Sequence, residues 1–336
     1  MDDNIIIAVD AMGGDHAPDE IVRGALKAAV DNIAGILLVG DEEKIKPLCR
    51  GGYPENMEVL HTDEYVTMDE SPSHALKKKK RASMLLAADA VREGKAAGMV
   101  CAGNTGALLE SALLHIGRIK GIRRPALGTL WPTRNKPTLM LDAGANAECK
   151  PEYLVQFAHM GAIYAERVME RPNPRVALIN IGHEEGKGNA LTNEAYMMLK
   201  DAGLNFTGNI EPRDFLGGAA DVAVCDGFTG NMVLKTAEAT TFYFFDLIKE
   251  VLTSSFINKM TGLILKPSFT KLKGRLDHSE YGGATFLGIN GVCIKSHGSA
   301  EARTIYNAIK LARQCARNDI VGIISNSFSA PAAIHG

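Results

Sequence analysis

Six short apolar runs set the fold class of this chain: Ile5 to Val9, Ile36 to Val39, Gly98 to Cys101, Thr138 to Leu141, Arg175 to Asn180 and Val222 to Cys225. Each is too short and too uniformly apolar for a strand with one wet face. The pattern predicts strands buried on both faces, as in a parallel sheet. Between them, Pro18 to Ile33, Met84 to Glu93, Pro151 to Glu170 and Asn193 to Ala202 have the spacing of helices. Strands alternating with helices imply an α/β fold with right-handed crossovers. Ligands of such sheets bind beyond the carboxyl ends of the strands, so functional residues are expected just after the apolar runs.

Five of those positions carry glycine together with Asn, Asp or Thr. They are Asp10-Ala11-Met12-Gly13-Gly14-Asp15-His16, Ala102-Gly103-Asn104-Thr105-Gly106, Asp142-Ala143-Gly144-Ala145-Asn146, the stretch Ile181 to Asn189 with Gly186, Lys187 and Gly188, and Asp226-Gly227-Phe228-Thr229-Gly230-Asn231. Any one of them is compatible with an ordinary turn. Five together point to an anion site, because glycine lets backbone N–H groups approach an anion and the next helix adds its dipole. The anion is not a nucleotide triphosphate. Gly182-x-x-x-Gly186-Lys187 is one residue short of a P-loop and is followed by Gly188, where a P-loop has Ser or Thr. Gly13-Gly14 also lacks the spacing of a dinucleotide turn. What remains is Lys187 in a glycine-rich loop, which reads either as a solvated surface lysine or, as its flanking glycines favour, as one facing a ligand. Asp15 and His16 admit two readings: a catalytic pair, or Asp15 capping the helix that starts near Pro18. Cys101 and Cys225, inside apolar runs, read as core residues.

The 336 residues permit one domain of about residues 1–330, or two lobes sharing a sheet with a boundary near Arg171 to Pro174, followed by a tail at 331–336. A formal net charge of -2 gives no general attraction for nucleic acid. The exception is Lys77 to Arg81, five cations in a row that open a helical stretch and suit an acidic partner. The six cysteines have no metal-binding spacing, and free thiols without a signal peptide fit the cytoplasm. No metal or cofactor is called for. The most apolar part of the second half is a helical hairpin near 239–270. Phe245, Ile248 and Leu252 form one stripe and Phe256, Met260 and Leu263 another, interrupted at Ser254-Ser255 and Gly262. With six cations against two acids from Asp246 to Arg275, it reads as a core or dimer helix pair, or as an amphipathic hairpin resting on an anionic membrane surface.

Ile7-Ala8-Val9-Asp10-Ala11-Met12-Gly13-Gly14-Asp15-His16-Ala17-Pro18 resembles the N-terminal signature of the bacterial PlsX-type phosphate acyltransferases. The other glycine turns, Tyr281-Gly282-Gly283-Ala284 and His297-Gly298-Ser299 are similar to later blocks of that family. The chain departs from it at Arg81, Ala82, Cys101 and His183. The resemblance implies a three-layer α/β/α sandwich with a mainly parallel sheet, like isopropylmalate dehydrogenases and phosphotransacetylases. It also implies a homodimer that is peripherally membrane-associated. The implied activity is transfer of a fatty acyl group from acyl carrier protein to inorganic phosphate, giving acyl phosphate for a downstream acyltransferase of phospholipid synthesis. By the same resemblance Lys187 and Asn231 are the catalytic pair. Phosphate would be held by Asn104, Thr105, Gly106 and the Gly13-Gly14 turn, with Asp10, Asp15, Asp142, Asn146, Gly186, Gly188, Asp226 and Thr229 around it. His16 would protonate the leaving thiolate. The acyl chain is expected along Phe242 to Ile264. Rival readings are an acyl-coenzyme A phosphotransacetylase, a nicotinamide-dependent dehydrogenase and a membrane scaffold without activity.

Overall fold

The computed structural model describes residues 5–134, 136–276 and 281–329, without the side chains of 271, 273, 275 and 276. The expected tail at 331–336 lies outside the described residues, as do the basic side chains of Lys271, Lys273 and Arg275.

The strands are β1 (Ile6–Asp10), β2 (Gly35–Gly40), β3 (Met57–His61), β4 (Gly98–Cys101), β5 (Ala126–Trp131), β6 (Thr138–Leu141), β7 (Val176–Ile179), β8 (Phe206–Ile210), β9 (Val222–Val224), β10 (Ala284–Leu287) and β11 (Val292–Lys295). The α-helices are α1 (Asp19–Val30), α2 (Glu42–Ile45), α3 (Pro72–Lys78), α4 (Ser83–Arg92), α5 (Thr105–Ser111), α6 (Pro151–Arg167), α7 (Ala190–Lys200), α8 (Pro212–Gly217), α9 (Gly227–Thr253), α10 (Phe256–Leu276), α11 (Ala302–Arg317) and α12 (Ile320–Ser329). All six predicted strands form, with ends shifted by one residue at most.

The strands make one 11-stranded sheet in the order β3-β2-β1-β4-β11-β10-β5-β6-β9-β7-β8. Strand residues alternate between two cores. Ile7 and Val9 face one layer, which contains residues of α1, α6, α7, α11 and α12. Ala8 and Met99 face the other, which contains residues of α3, α4, α5 and α8, with Val233 and Leu234 of α9 packed on it. This is the three-layer sandwich. Most pairings are parallel, but β10 runs antiparallel to both β11 and β5, and β5 antiparallel to β6. The sheet therefore has two parallel halves of opposite sense. If β1, β2, β3, β4, β11 and β5 point up, then β10, β6, β9, β7 and β8 point down.

Two expectations are corrected at the level of elements. Lys77 to Arg81 does not open a helix: Lys77 and Lys78 end α3, and α4 begins only at Ser83. Gly262 does not interrupt the apolar hairpin. α10 runs on through it and through Pro267, and at Gly262 the helix sits against Leu252 of α9. The turn between α9 and α10 falls at Ser254-Ser255.

Candidate active site

The upward edge holds the turns after β1, β4 and β11. Asp10 ends β1 fully buried, and its carboxylate accepts bonds from Met12 N at 3.1 Å and Cys101 Sγ at 3.0 Å. Burial raises its pKa, and those bonds offset the shift in part. An acid held under the turn shapes the turn, with its carboxylate facing Met12 and Cys101. Gly14 has φ +117°, and an added Cβ would press on Ala102 and on the Gly298 carbonyl, both at 3.1 Å. Here three backbone segments meet, and only glycine fits. Asp15 N donates to Gly298 O at 2.8 Å. Asp15 does not cap α1, whose N-cap Pro18 has no side-chain bond. Both Asp15 and His16 are exposed at the rim. Asn104 caps α5, accepting from Ala107 N at 3.1 Å and donating to Met68 O at 2.9 Å. Its amide thus ties the turn after β4 to the Met68 segment and to α5. Thr105 and Gly106 are exposed, with Gly106 beside Pro72.

The same edge holds a residue that the glycine turns do not mark. Lys295 ends β11 with 8% of its surface exposed. Its ammonium donates to Ala102 O at 3.4 Å and to Ser296 O. Among the described residues, lysine ion pairs involve Lys27, Lys44, Lys79, Lys95, Lys200 and Lys235, not Lys295 or Lys187. Burial lowers the pKa of Lys295, and Asp15 and Lys235 are close enough to act on its charge. The signal available in the sequence was a cation closing an apolar run, immediately before Ser296-His297-Gly298.

The downward edge holds the turns after β6, β9 and β7. Asp142 is fully buried. Its Oδ1 accepts from Leu127, Gly144 and Ala145 N, and its Oδ2 from Asn146 N and Nδ2. Asn146 Nδ2 also donates to Pro125 O at 2.8 Å. Asp226 caps α9, accepting from Thr229 N at 2.9 Å and Thr229 Oγ1 at 2.7 Å. Asp142, Asn146, Asp226 and Thr229 thus bond one another and the backbone of these turns, and so fix the shape of the downward edge. Asn231, in the second turn of α9, is exposed and lies over Gly144.

Lys187 is exposed on the loop after β7. Its backbone is pinned on both sides, since Lys187 N donates to Glu184 O at 3.1 Å and Lys187 O accepts from Asn180 Nδ2 at 3.0 Å. Gly188, at φ +97°, is wedged where any Cβ would strike Thr192 and Asn180. His183 ties the loop to α8 through Asp214, 2.8 Å away. Gly186 has open space around it.

The five turns therefore do not form one wall within the chain. Those after β1 and β4 open upward and those after β6, β7 and β9 downward. Lys187 and Lys295 are also separated by five strand intervals, about 24 Å at the usual spacing. The link between the edges is α9, which carries Lys235 one turn beyond Asn231 on the same face and toward Lys295.

A cavity of about 1420 Å³ flanks the first half of α9, lined by Trp131, Met232, Val233, Leu216 and Thr240, with Arg303 on its wall. A groove of about 470 Å³ between α9 and α10 is lined by Phe245, Ile248, Leu252 and Leu263. Phe256 and Met260 do not line it and are 80% and 50% exposed. Among the described residues, no helix is long and apolar enough to cross a membrane.

Residues 5–322 match the family described as Fatty acid synthesis protein. The chain is 48% identical to a phosphate acyltransferase of Geobacillus sp. over 96% of its length and 98% of the relative's. It is 50% identical to one from Heliobacterium modesticaldum, over 95% and 96%. Among solved structures it superposes on a phosphotransacetylase from Streptococcus pyogenes with a TM-score of 0.66 at 17% identity, covering 94% of both chains. It also superposes on a 4-hydroxythreonine-4-phosphate dehydrogenase from Klebsiella pneumoniae with a TM-score of 0.54 at 13% identity, covering 93% of this chain and 99% of that one.

Proposed function

The chain belongs to the Fatty acid synthesis protein family and is an acyltransferase with phosphate as acceptor; on that footing we propose that it takes fatty acyl groups from acyl carrier protein and works as a homodimer at a membrane surface. The observation that carries the reaction is the identity of about half the residues along nearly the whole chain. The site chemistry is in keeping with it. Cys101 and Cys225 are buried and their thiols are pushed well up by burial, so neither offers a thiolate for an acyl-enzyme.

Phosphate needs no such intermediate. One of its oxygens attacks the thioester carbon, a C–O bond forms, and the carbonyl electrons move onto oxygen. The oxyanion then collapses, the C–S bond breaks, and the carrier thiolate takes a proton, for which exposed His16 at the rim is the proposed donor. Lys187 and Asn231 would stabilise the oxyanion. Because they stand on the edge opposite Gly13-Gly14 within a protomer, one subunit is proposed to supply them to the other. The apolar α9–α10 pair, with Phe242, Phe256, Ile257 and Ile264 more than 60% exposed, offers a surface for a second copy and for lipid. The cavity beside α9 would take the acyl chain.

Lys77, Lys78, Lys80 and Arg81 are exposed, and the helix that carries the first two begins at Pro72, beside Gly106. This basic surface near the upward edge supports the reading that an acidic carrier docks there. Lys79 is excluded from it, being paired with Glu70 at 2.6 Å. The test is to incubate the protein with acyl carrier protein thioester and phosphate and to trap acyl phosphate with hydroxylamine. Hydroxamate from the carrier thioester but not from the coenzyme A thioester supports the reading; the reverse preference overturns the donor, and none from either overturns the reaction.

A further inference from the structure

We propose that Lys295, with Ser296 beside it, is the seat of the phosphate acceptor, its walls formed by the Gly13-Gly14 turn and the Gly298 segment. This rests on the reading of the protein as a phosphate acyltransferase and says where on the molecule the acceptor binds.

A buried ammonium is costly unless an anion or several well-placed acceptors offset it. Lys295 lies near the middle of the sheet, on a strand flanked by β4 and β10, and has two backbone carbonyls as partners. Beside the buried Cys101 thiol, the carboxylate acting on its charge is Asp15, which is exposed at the rim and makes no ion pair with it, while Lys235 adds a second positive charge from α9. The position is thus short of negative charge. Ser296 sharpens the case. It is 0% exposed, its backbone N is bonded to Cys101 O, and its hydroxyl has no partner. Native proteins rarely leave a buried hydroxyl unpaired. A phosphate dianion would answer both needs, accepting from the ammonium and from the hydroxyl. The Lys187 loop lacks this character, because its lysine is already in solvent.

The competing role for Lys295 is a clamp that ties the end of β4 to the end of β11 through Ala102 O and Ser296 O. The experiment measures acyl phosphate formation against phosphate concentration at saturating thioester, for wild type, Lys295→Met, Lys295→Arg and Ser296→Ala. Alongside it, melting temperature is recorded with inorganic phosphate and with chloride at equal ionic strength. The expected result for Lys295→Met is a phosphate KM raised roughly 10- to 100-fold, as for loss of one charge-assisted contact. The thioester KM stays unchanged and the phosphate-induced rise in melting temperature is lost. Lys295→Arg retains part of both. A folded Lys295→Met with unaltered phosphate KM and phosphate-induced rise overturns the seat and leaves the clamp. If Lys295→Met does not fold, Ser296→Ala decides: a raised phosphate KM sustains the proposal and an unchanged one refutes it. A wild type that makes no acyl phosphate defeats the reading of the reaction, while the phosphate-induced melting shift still tests the seat.

Discussion

At the scale of single residues, the candidate site sorts into groups that shape turns and groups left over. Asp10, Asn104, Asp142, Asn146 and Asp226 are the polar residues that a sequence pattern highlights, and all have their polar atoms bonded to the scaffold. The pattern recognised the turns correctly but could not separate a ligand from a cap, because both use the same residue types at strand ends. Lys187 and Asn231 are exposed and uncommitted. Substituting Lys187 by Ala should lower turnover about 100- to 1000-fold, as for loss of an oxyanion donor. Its melting temperature should hold, because the loop is pinned by backbone and by Asn180. Unchanged turnover in the folded variant would remove Lys187 from the chemistry. Lys295 also makes a prediction in phosphate-free buffer. Burial lowers its pKa from the ordinary lysine value of 10.5. Below the lowered value both folded and unfolded chains hold the proton, and the full cost of burying charge is present. Between that value and 10.5 the unfolded chain binds more protons, so the cost fades as pH rises. Melting of wild type and Lys295→Met, compared from neutral pH to pH about 10.5, should therefore shift in favour of wild type as pH climbs. A constant difference would mean that the lysine is not desolvated as the fold implies.

At the scale of elements, the buried parallel strands were legible because both of their faces are apolar. β3 and β8 were not, because they are the edge strands and carry polar residues such as Glu58, Thr207 and Asn209. β5, β10 and β11 were missed for another reason: Gly128, Thr129, Thr285 and Lys295 break their apolar runs, although the sheet buries them all. α9 is the element on which the site depends most, since it holds Asn231 over Gly144 and is started by Asp226. Replacing Asp226 by Ala removes a cap worth about 1 kcal/mol, which should lower the melting temperature by about 2 °C. It should also reduce turnover more than that small loss of stability would, by loosening Asn231. Turnover that follows stability alone would count against Asn231. The far end of α9 and all of α10 carry the lipid argument. Leu263, 64% exposed, borders the apolar groove among Lys249, Lys259 and Lys266. Leu263→Glu should reduce co-flotation with anionic vesicles while leaving hydroxamate formation from soluble thioester intact. Undiminished flotation would take α10 out of membrane contact.

At the scale of the whole molecule, what the sequence concealed was the reversal of the sheet. Apolar runs reveal that strands are buried, but not which way each points, and β5 and β10 reverse the direction between two halves that look alike in the pattern. Five turns that suggested one wall became two edges. If both edges serve one reaction, the upward edge of one subunit must meet the downward edge of another, and the site is then shared. Shared sites have a consequence that sites within a protomer lack. Assayed at phosphate below the wild-type KM, Lys187→Ala and Lys295→Met should each be nearly inactive alone, the second through its raised phosphate KM, with the two lesions on opposite edges. When the variants are mixed, dissociated and allowed to reassociate, about half of the dimers are mixed. Each mixed dimer has one site carrying both lesions and one carrying neither. Activity should then return to about a quarter of the wild-type value, with the phosphate KM of wild type, because the restored sites are intact. A site built within one protomer gives no such recovery, since every site in the mixture keeps one lesion. Recovery would place Lys187 and Lys295 of different subunits around one phosphate; its absence, with exchange verified by differently tagged chains, would require the edges to act separately.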